Sequence, residues 1–146
     1  MPNKKKPAAQ HQFAVTFKKY GKKYRVNIKI FKTDIELNSY YNSTVSAGYR
    51  DPHGILAAAI FDKPERGNRN CIGEMIFSRS QLHPSLIAHE SVHMVFQYFE
   101  HAHGLDFRTR RREETFCDVI EDLMDGIYIY LKKNRIPYRS FPRWRK

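Results

Sequence analysis

Five consecutive residues, His89-Glu90-Ser91-Val92-His93, carry the donor pattern in this chain best suited to chemistry. On an α-helix positions i and i+4 share a face, so both imidazoles of an H-E-x-x-H can reach one divalent ion, and Zn²⁺ suits two such nitrogens. Glu90 projects beside them, where it can take a proton from a water activated by the ion. The surrounding segment is apolar on more than one side, with Leu86, Ile87, Val92, Met94, Val95, Phe96 and Phe99, which predicts a central helix and not a surface one. Two histidines and a glutamate inside such a helix are costly unless they are paired or hold a metal.

A hydrolytic zinc site has three protein ligands and leaves the fourth place to water. His101 and His103 follow His93 by eight and ten residues, roughly 12–15 Å along a continuous helix, too far to share the ion. The extension H-x-x-G-x-x-H is missing, since positions 96 and 99 are both Phe. The remaining candidates are Glu113 and Glu114. Glu114 and Asp118 form an E-x-x-x-D one helical turn apart, so that Glu could bind the ion and Asp could accept the remaining N–H of a ligand histidine. On a helical wheel Glu113 sits nearer the centre of the apolar face defined by Ile120, Met124 and Leu131, with Glu114 at its border and Cys117 between the two. Both carboxylates stay open on the residues alone. Cys117, on the apolar side, is expected to be a small packed side chain.

The elements that must position these groups read as strands first and helices last. Residues 1–11 form a basic, flexible lead. From Gln12 to Thr33 apolar and polar residues alternate, Phe13, Val15, Phe17 and then Tyr24, Val26, Ile28, Ile30, which predicts a β-hairpin turning near Gly21. Residues 34–50 are ambiguous, with an Asn and Ser content that suggests loop. Asp51-Pro52-His53-Gly54 is a turn, 54–62 a short buried strand, 63–70 a polar loop and 71–78 a further strand. A helix is expected from near Pro84 to about His103, with proline in a helical first turn where its missing N–H costs nothing. A second runs from about Arg111 to Lys133, with Phe116, Ile120, Leu123, Ile127 and Leu131 facing the core and Lys132 and Lys133 at the negative end of its dipole. The tail, 134–146, is basic and aromatic, and its Tyr138, Phe141 and Trp144 are candidates to fold back. The fold class expected is α+β: one domain over 12–133, a short and mostly antiparallel sheet, then a motif-bearing helix and a glutamate-bearing helix.

The chain has 146 residues, enough for one domain with an apolar core. Its 26 Lys and Arg exceed its 15 Asp and Glu, and the excess sits at the two ends. Residues 1–32 hold ten basic residues and no acid, 132–146 hold seven and no acid, and the middle is mildly acidic. Basic termini of this kind attract phosphates, so nucleic acid is a candidate partner. No run of 18 apolar residues occurs, so no membrane span is expected. The first residues lack the apolar stretch of a signal peptide, and two cysteines make no disulfide framework, which together lead to the expectation of a cytoplasmic protein.

With these residues the chain resembles a minimal zincin of the gluzincin type, similar to thermolysin-like metallopeptidases. It is also similar to small zinc-peptidase-like proteins of phage and prophage genomes and, over 72–93, to SprT-like proteases. In thermolysin-like enzymes the third ligand is a Glu about twenty residues past the second His, with an Asp four residues later. Here Glu114 lies 21 residues past His93, and Asp118 follows at four. The resemblance covers residues 72–125 in detail and implies zinc held by His89, His93 and Glu114, Glu90 as general base, Asp118 behind a ligand, and a protein or peptide substrate. Glu113 is the alternative third ligand. The other functional class that fits is a non-catalytic zincin-fold factor of phage or mobile elements, which engages a host protein or nucleic acid through its basic termini.

Overall fold

The computed structural model describes residues 6–19, 21–45, 54–61, 70–103 and 109–138, with backbone only for 101–103. The fold is α+β. A four-stranded sheet has the order β1-β2-β4-β3, with β1 His11–Lys19, β2 Lys22–Phe31, β3 Ala57–Phe61 and β4 Cys71–Ser78. Helix α1 spans Asp34–Thr44, α2 Pro84–His103 and α3 Arg110–Lys133.

The hairpin follows directly from its alternation. Val15, Phe17, Val26, Ile28 and Ile30 are buried on one face, and Gln12, Thr16, Lys18, Lys23 and Arg25 are exposed on the other. Each fully buried aliphatic of β2 contributes on the order of 1.5–3 kcal/mol. The sheet is mixed and, as expected, mostly antiparallel: β1–β2 and β3–β4 are antiparallel, and β2 pairs with β4 in parallel. Strand β4 lies between two neighbours and under helices on both faces, which is why CIGEMIFS reads as a nearly unbroken apolar run. The edge of the sheet belongs to β3 instead, which is shorter than the 54–62 read from sequence and only half-buried. Gly73 permits this pairing, because a Cβ there would stand 2.2 Å from the Ile60 carbonyl oxygen.

Helix α1 occupies part of the stretch that reads as loop. Thr33 caps it, accepting the Glu36 N–H at 3.2 Å, and Asp34 and Glu36 complement its positive end. Its contacts are long-range ones. Tyr40 donates to Glu74 of β4 at 2.5 Å and receives a hydrogen bond from Lys29 of β2 at 2.6 Å. Asp34 accepts from both Ser78 and Ser80. Helix α1 and a small cluster of Phe31, Leu37, Tyr40 and Ile76 cover one face of the sheet, and α2 and α3 cover the other over the main core.

The two long helices have the bounds expected, and α3 buries Val119, Leu123, Ile127 and Leu131. Phe116 and Ile120 are partly buried at the same face. Ile136 closes the core after α3, and Tyr138 rests on Tyr128 with ring centroids 5.5 Å apart. The Asp51–His53 turn residues, the 63–69 loop, Phe141 and Trp144 lie outside the described residues. Among the described residues no helix is long and apolar enough to cross a membrane.

Helix α3 approaches β1 closely at Gly126, where an added Cβ would stand 2.5 Å from a Val15 methyl. Replacing Gly126 by Ala gains up to about 1 kcal/mol of helix propensity but overpacks this contact at a cost of about 1–3 kcal/mol. The expected outcome in urea titration is a net loss near 1 kcal/mol for Gly126→Ala. In a Val15→Ala background the same change should become neutral or stabilising, and an unchanged cost there would show that Val15 is not the obstacle.

Candidate active site

Helix α2 begins with a cap that sequence reading overlooked. His83 precedes Pro84, and its Nδ1 accepts the Leu86 N–H at 3.1 Å while its carbonyl takes the Ile87 N–H. Histidine is not among the usual capping residues, so only its place just before a helix-opening proline hinted at this role. The ring is buried, and burial holds its pKa below the ordinary histidine value.

Two turns later α2 delivers the motif. His89 and His93 are both exposed and turn toward each other, with Nε2 to Nε2 at 3.2 Å and ring centroids 4.8 Å apart. Two nitrogens bound tetrahedrally at about 2.0–2.1 Å from one zinc ion stand about 3.3 Å apart, so the spacing of the pair matches that of two ligands of one ion. Glu90 lies about 100° further round the helix than His89 and is buried on its sheet side. It is 6% exposed, and the backbone N–H of Ala59 on β3 lies near enough to favour its ionised form. Burial pushes its pKa up, while the adjacent His89 and His93 and the Ala59 N–H pull it part of the way back.

A cleft of about 410 Å³ runs along this junction, lined by Gly54–Ala57 on one side and by His83, Ser85, Leu86, His89 and Glu90 on the other. Helix α1 shapes its floor: Asn38 accepts the Ile55 N–H at 2.7 Å and donates to the Ile55 carbonyl at 3.1 Å. The cleft wall continues into β3, so an extended peptide would meet β3. The strand over 71–78 is interior and offers no free edge.

The glutamate helix is present, but the structure does not bring its carboxylates to the imidazole pair. Glu113 and Glu114 are exposed, and Glu114 lies 4.0 Å from Arg110. Asp118 is exposed and lies 4.0 Å from Lys19 of β1. Among the described residues no group of three or more His, Cys, Asp or Glu stands ready to hold an ion. Helix register accounts for this. Helix α2 travels along the sheet from Ala59 at Glu90 to Phe17 and Tyr24 at Tyr98. Helix α3 travels back, from Lys19 at Asp118 to Val15 at Gly126 and Phe13 at Tyr130. Phe116 sets the offset by meeting both Phe96 and Phe99. From Phe116 the level of His93 lies toward residue 120, and Glu113 and Glu114 lie the opposite way, one to two turns off. Cys117, expected to be packed, is exposed, because the buried stripe of α3 passes through Val119 and Leu123 instead. The side chains of His101 and His103 lie outside the described residues.

Comparison of the chain with family models, with curated proteins and with solved structures found no match.

The His83 cap makes α2 sensitive to acid. Nδ1 can accept the Leu86 N–H only while unprotonated, and a positive ring would also oppose the helix dipole. With the folded pKa below the unfolded one, the unfolded chain binds more protons, so stability falls as pH drops through the ordinary histidine range. Asparagine at position 83 caps without titrating. Chemical denaturation between pH 7.5 and 5.5 should show the parent losing stability more steeply than His83→Asn, by about 1 kcal/mol, the usual strength of a cap. Parallel profiles would mean that His83 stays unprotonated or does not cap.

Proposed function

We propose that the chain is a zinc-dependent metallopeptidase. The observation that carries this reading is the convergence of the His89 and His93 Nε2 atoms to 3.2 Å, one residue away from a buried carboxylate at a cleft. His89 and His93 hold the ion. Glu114 is the third donor suggested by sequence, with Glu113 as its alternative, and either must leave the position described above to join them. A zinc ion at the pair supplies a Lewis acid and lowers the pKa of a bound water toward neutrality.

Glu90 is the general base. It takes the proton of the attacking water and passes it to the amine that leaves, and a carboxyl raised by burial holds that proton between the two steps more readily than an exposed one. The edge of β3 supports a peptide as substrate, since an extended chain can add to it as a further strand with its side chains over Leu56 and Leu86. Ala57 and Ala59 keep that approach low. Cytoplasmic placement and a protein substrate belong to this proposal.

Elemental analysis of dialysed protein should find about one zinc per chain in the parent and little in His89→Ala. Glu90→Gln should keep the metal and lose at least about 100-fold in hydrolysis of a quenched fluorescent peptide library. A parent free of zinc, or a fully active Glu90→Gln, rejects the proposal. Zinc bound by a parent that cleaves no peptide would favour the non-catalytic alternative. Parallel titrations of Glu114→Ala and Glu113→Ala identify the third donor by which variant weakens zinc binding.

A further inference from the structure

The two faces of the β1–β2 hairpin treat their charges differently. Residues directly opposite in an antiparallel pair share a face. On the face toward α2 and α3, Lys19 stands opposite Lys22, and Lys19 meets Asp122 at 3.8 Å and Asp118 at 4.0 Å. On the outer face Lys18 stands opposite Lys23, and Arg25 follows two residues along β2, opposite Thr16. All three cations are exposed, as are Gln12, Ala14 and Thr16 beside them. Among the described residues none of these three has a carboxylate within ion-pair distance. Glu74, which shares the outer face, is held by Lys29 at 3.0 Å and by Tyr40.

Like charges directly opposite each other on a sheet are destabilising, and a shared anion relieves them. Helix α1 covers the outer face over Phe31, Ile76 and Ala58 but leaves β1 and the first half of β2 open. The open part is flat and polar. Among the described residues its aromatics, Phe13, Phe17 and Tyr24, turn to the helical side, so none of these is placed to stack on an unpaired base or insert into a membrane. What remains is charge at regular spacing. Lys23 and Arg25 lie about 6.8 Å apart along the strand, comparable to the separation of neighbouring phosphates on one DNA backbone.

We infer that the outer face of the β1–β2 hairpin binds the phosphate backbone of duplex DNA through Lys18, Lys23 and Arg25, without reading sequence. This surface is on the opposite side of the sheet from His89 and Glu90. It is also distinct from the chain termini, so it does not depend on the metal or on hydrolysis.

The test uses the full chain and a fluorescein-labelled 20-base-pair duplex, with anisotropy read at 50 and 200 mM salt. The triple variant K18Q/K23Q/R25Q should bind at least tenfold more weakly at 50 mM, and its log–log salt slope should fall by about two to three. K132Q/K133Q/R135Q removes the same charge from the end of α3 and should stay within threefold of the parent. Acetylation footprinting by mass spectrometry should show Lys18 and Lys23 protected by the duplex, which tests the contact without any substitution. The inference is overturned if the parent does not bind the duplex at 50 mM or if the first triple binds like the parent. Equal weakening of the two triples would assign the binding to net charge alone. Tighter binding to the matching single strand, or a loss by the first triple confined to phosphatidylserine vesicles, would equally reject a duplex as the occupant.

Discussion

A carboxylate buried against the edge of a β-sheet is the constraint that organises this molecule. Glu90 is 6% exposed beside Ala59, whose backbone N–H favours its ionised form. Without that donor, a charged group so deep would lose more in solvation than its neighbours return. Glu90 beside Ala59 marks one end of the path of α2 across the sheet, and the rings of Phe17 and Tyr24 around Tyr98 fix the other. Once α2 is held in this rotation, the helical repeat alone brings His89 and His93 to the solvent side with their nitrogens converging. The arrangement rests in turn on β3 lying close against β4, which the bare backbone of Gly73 allows, and on Asn38 of α1 gripping the chain just ahead of β3.

The same rigidity explains why the glutamate helix stands apart from the histidines. Aromatic contacts at Phe116 and the close approach at Gly126 set α3 along its whole length, and neither contact is easily slid. Lys19 adds an electrostatic tether at Asp118 and Asp122. Glu113 and Glu114 occupy the first turns of α3, beyond these anchors and next to the residues connecting α2 to α3. They therefore belong to the part of the helix least bound to the sheet.

Much of this was legible in the sequence where local pattern decides structure. The hairpin showed in the alternation from Phe13 to Ile30, the bounds of α2 in Pro84 and the apolar run, and those of α3 in its buried stripe and terminal lysines. The i, i+4 histidines were legible for the same reason, since their meeting depends only on the helix that carries them. Features set by distant partners were hidden. Helix α1 has no apolar stripe, its Ile35 being 82% exposed, and it is held by Tyr40, Asn38 and Asp34 reaching segments far along the chain. Strand order was hidden too: 71–78 read as a strand, and only its parallel pairing with β2 reveals it as interior. The level of Glu114 relative to His93 depends on how Phe116 seats between two rings of α2, which residue counting cannot supply.

The parallel pairing of β2 with β4 has a consequence in time. The hairpin closes through neighbours a few residues apart and can form as soon as its own residues are available. The pairing at the centre of the sheet joins Ile28 to Met75 and Ile30 to Phe77, and everything between must first be made and looped back. Contacts of such separation form slowly, because the loss of chain entropy precedes any gain. During synthesis the nascent hairpin therefore waits with its apolar face uncovered and its lysines outward. Outward lysines are among the charges that discourage an open strand edge from pairing with another chain.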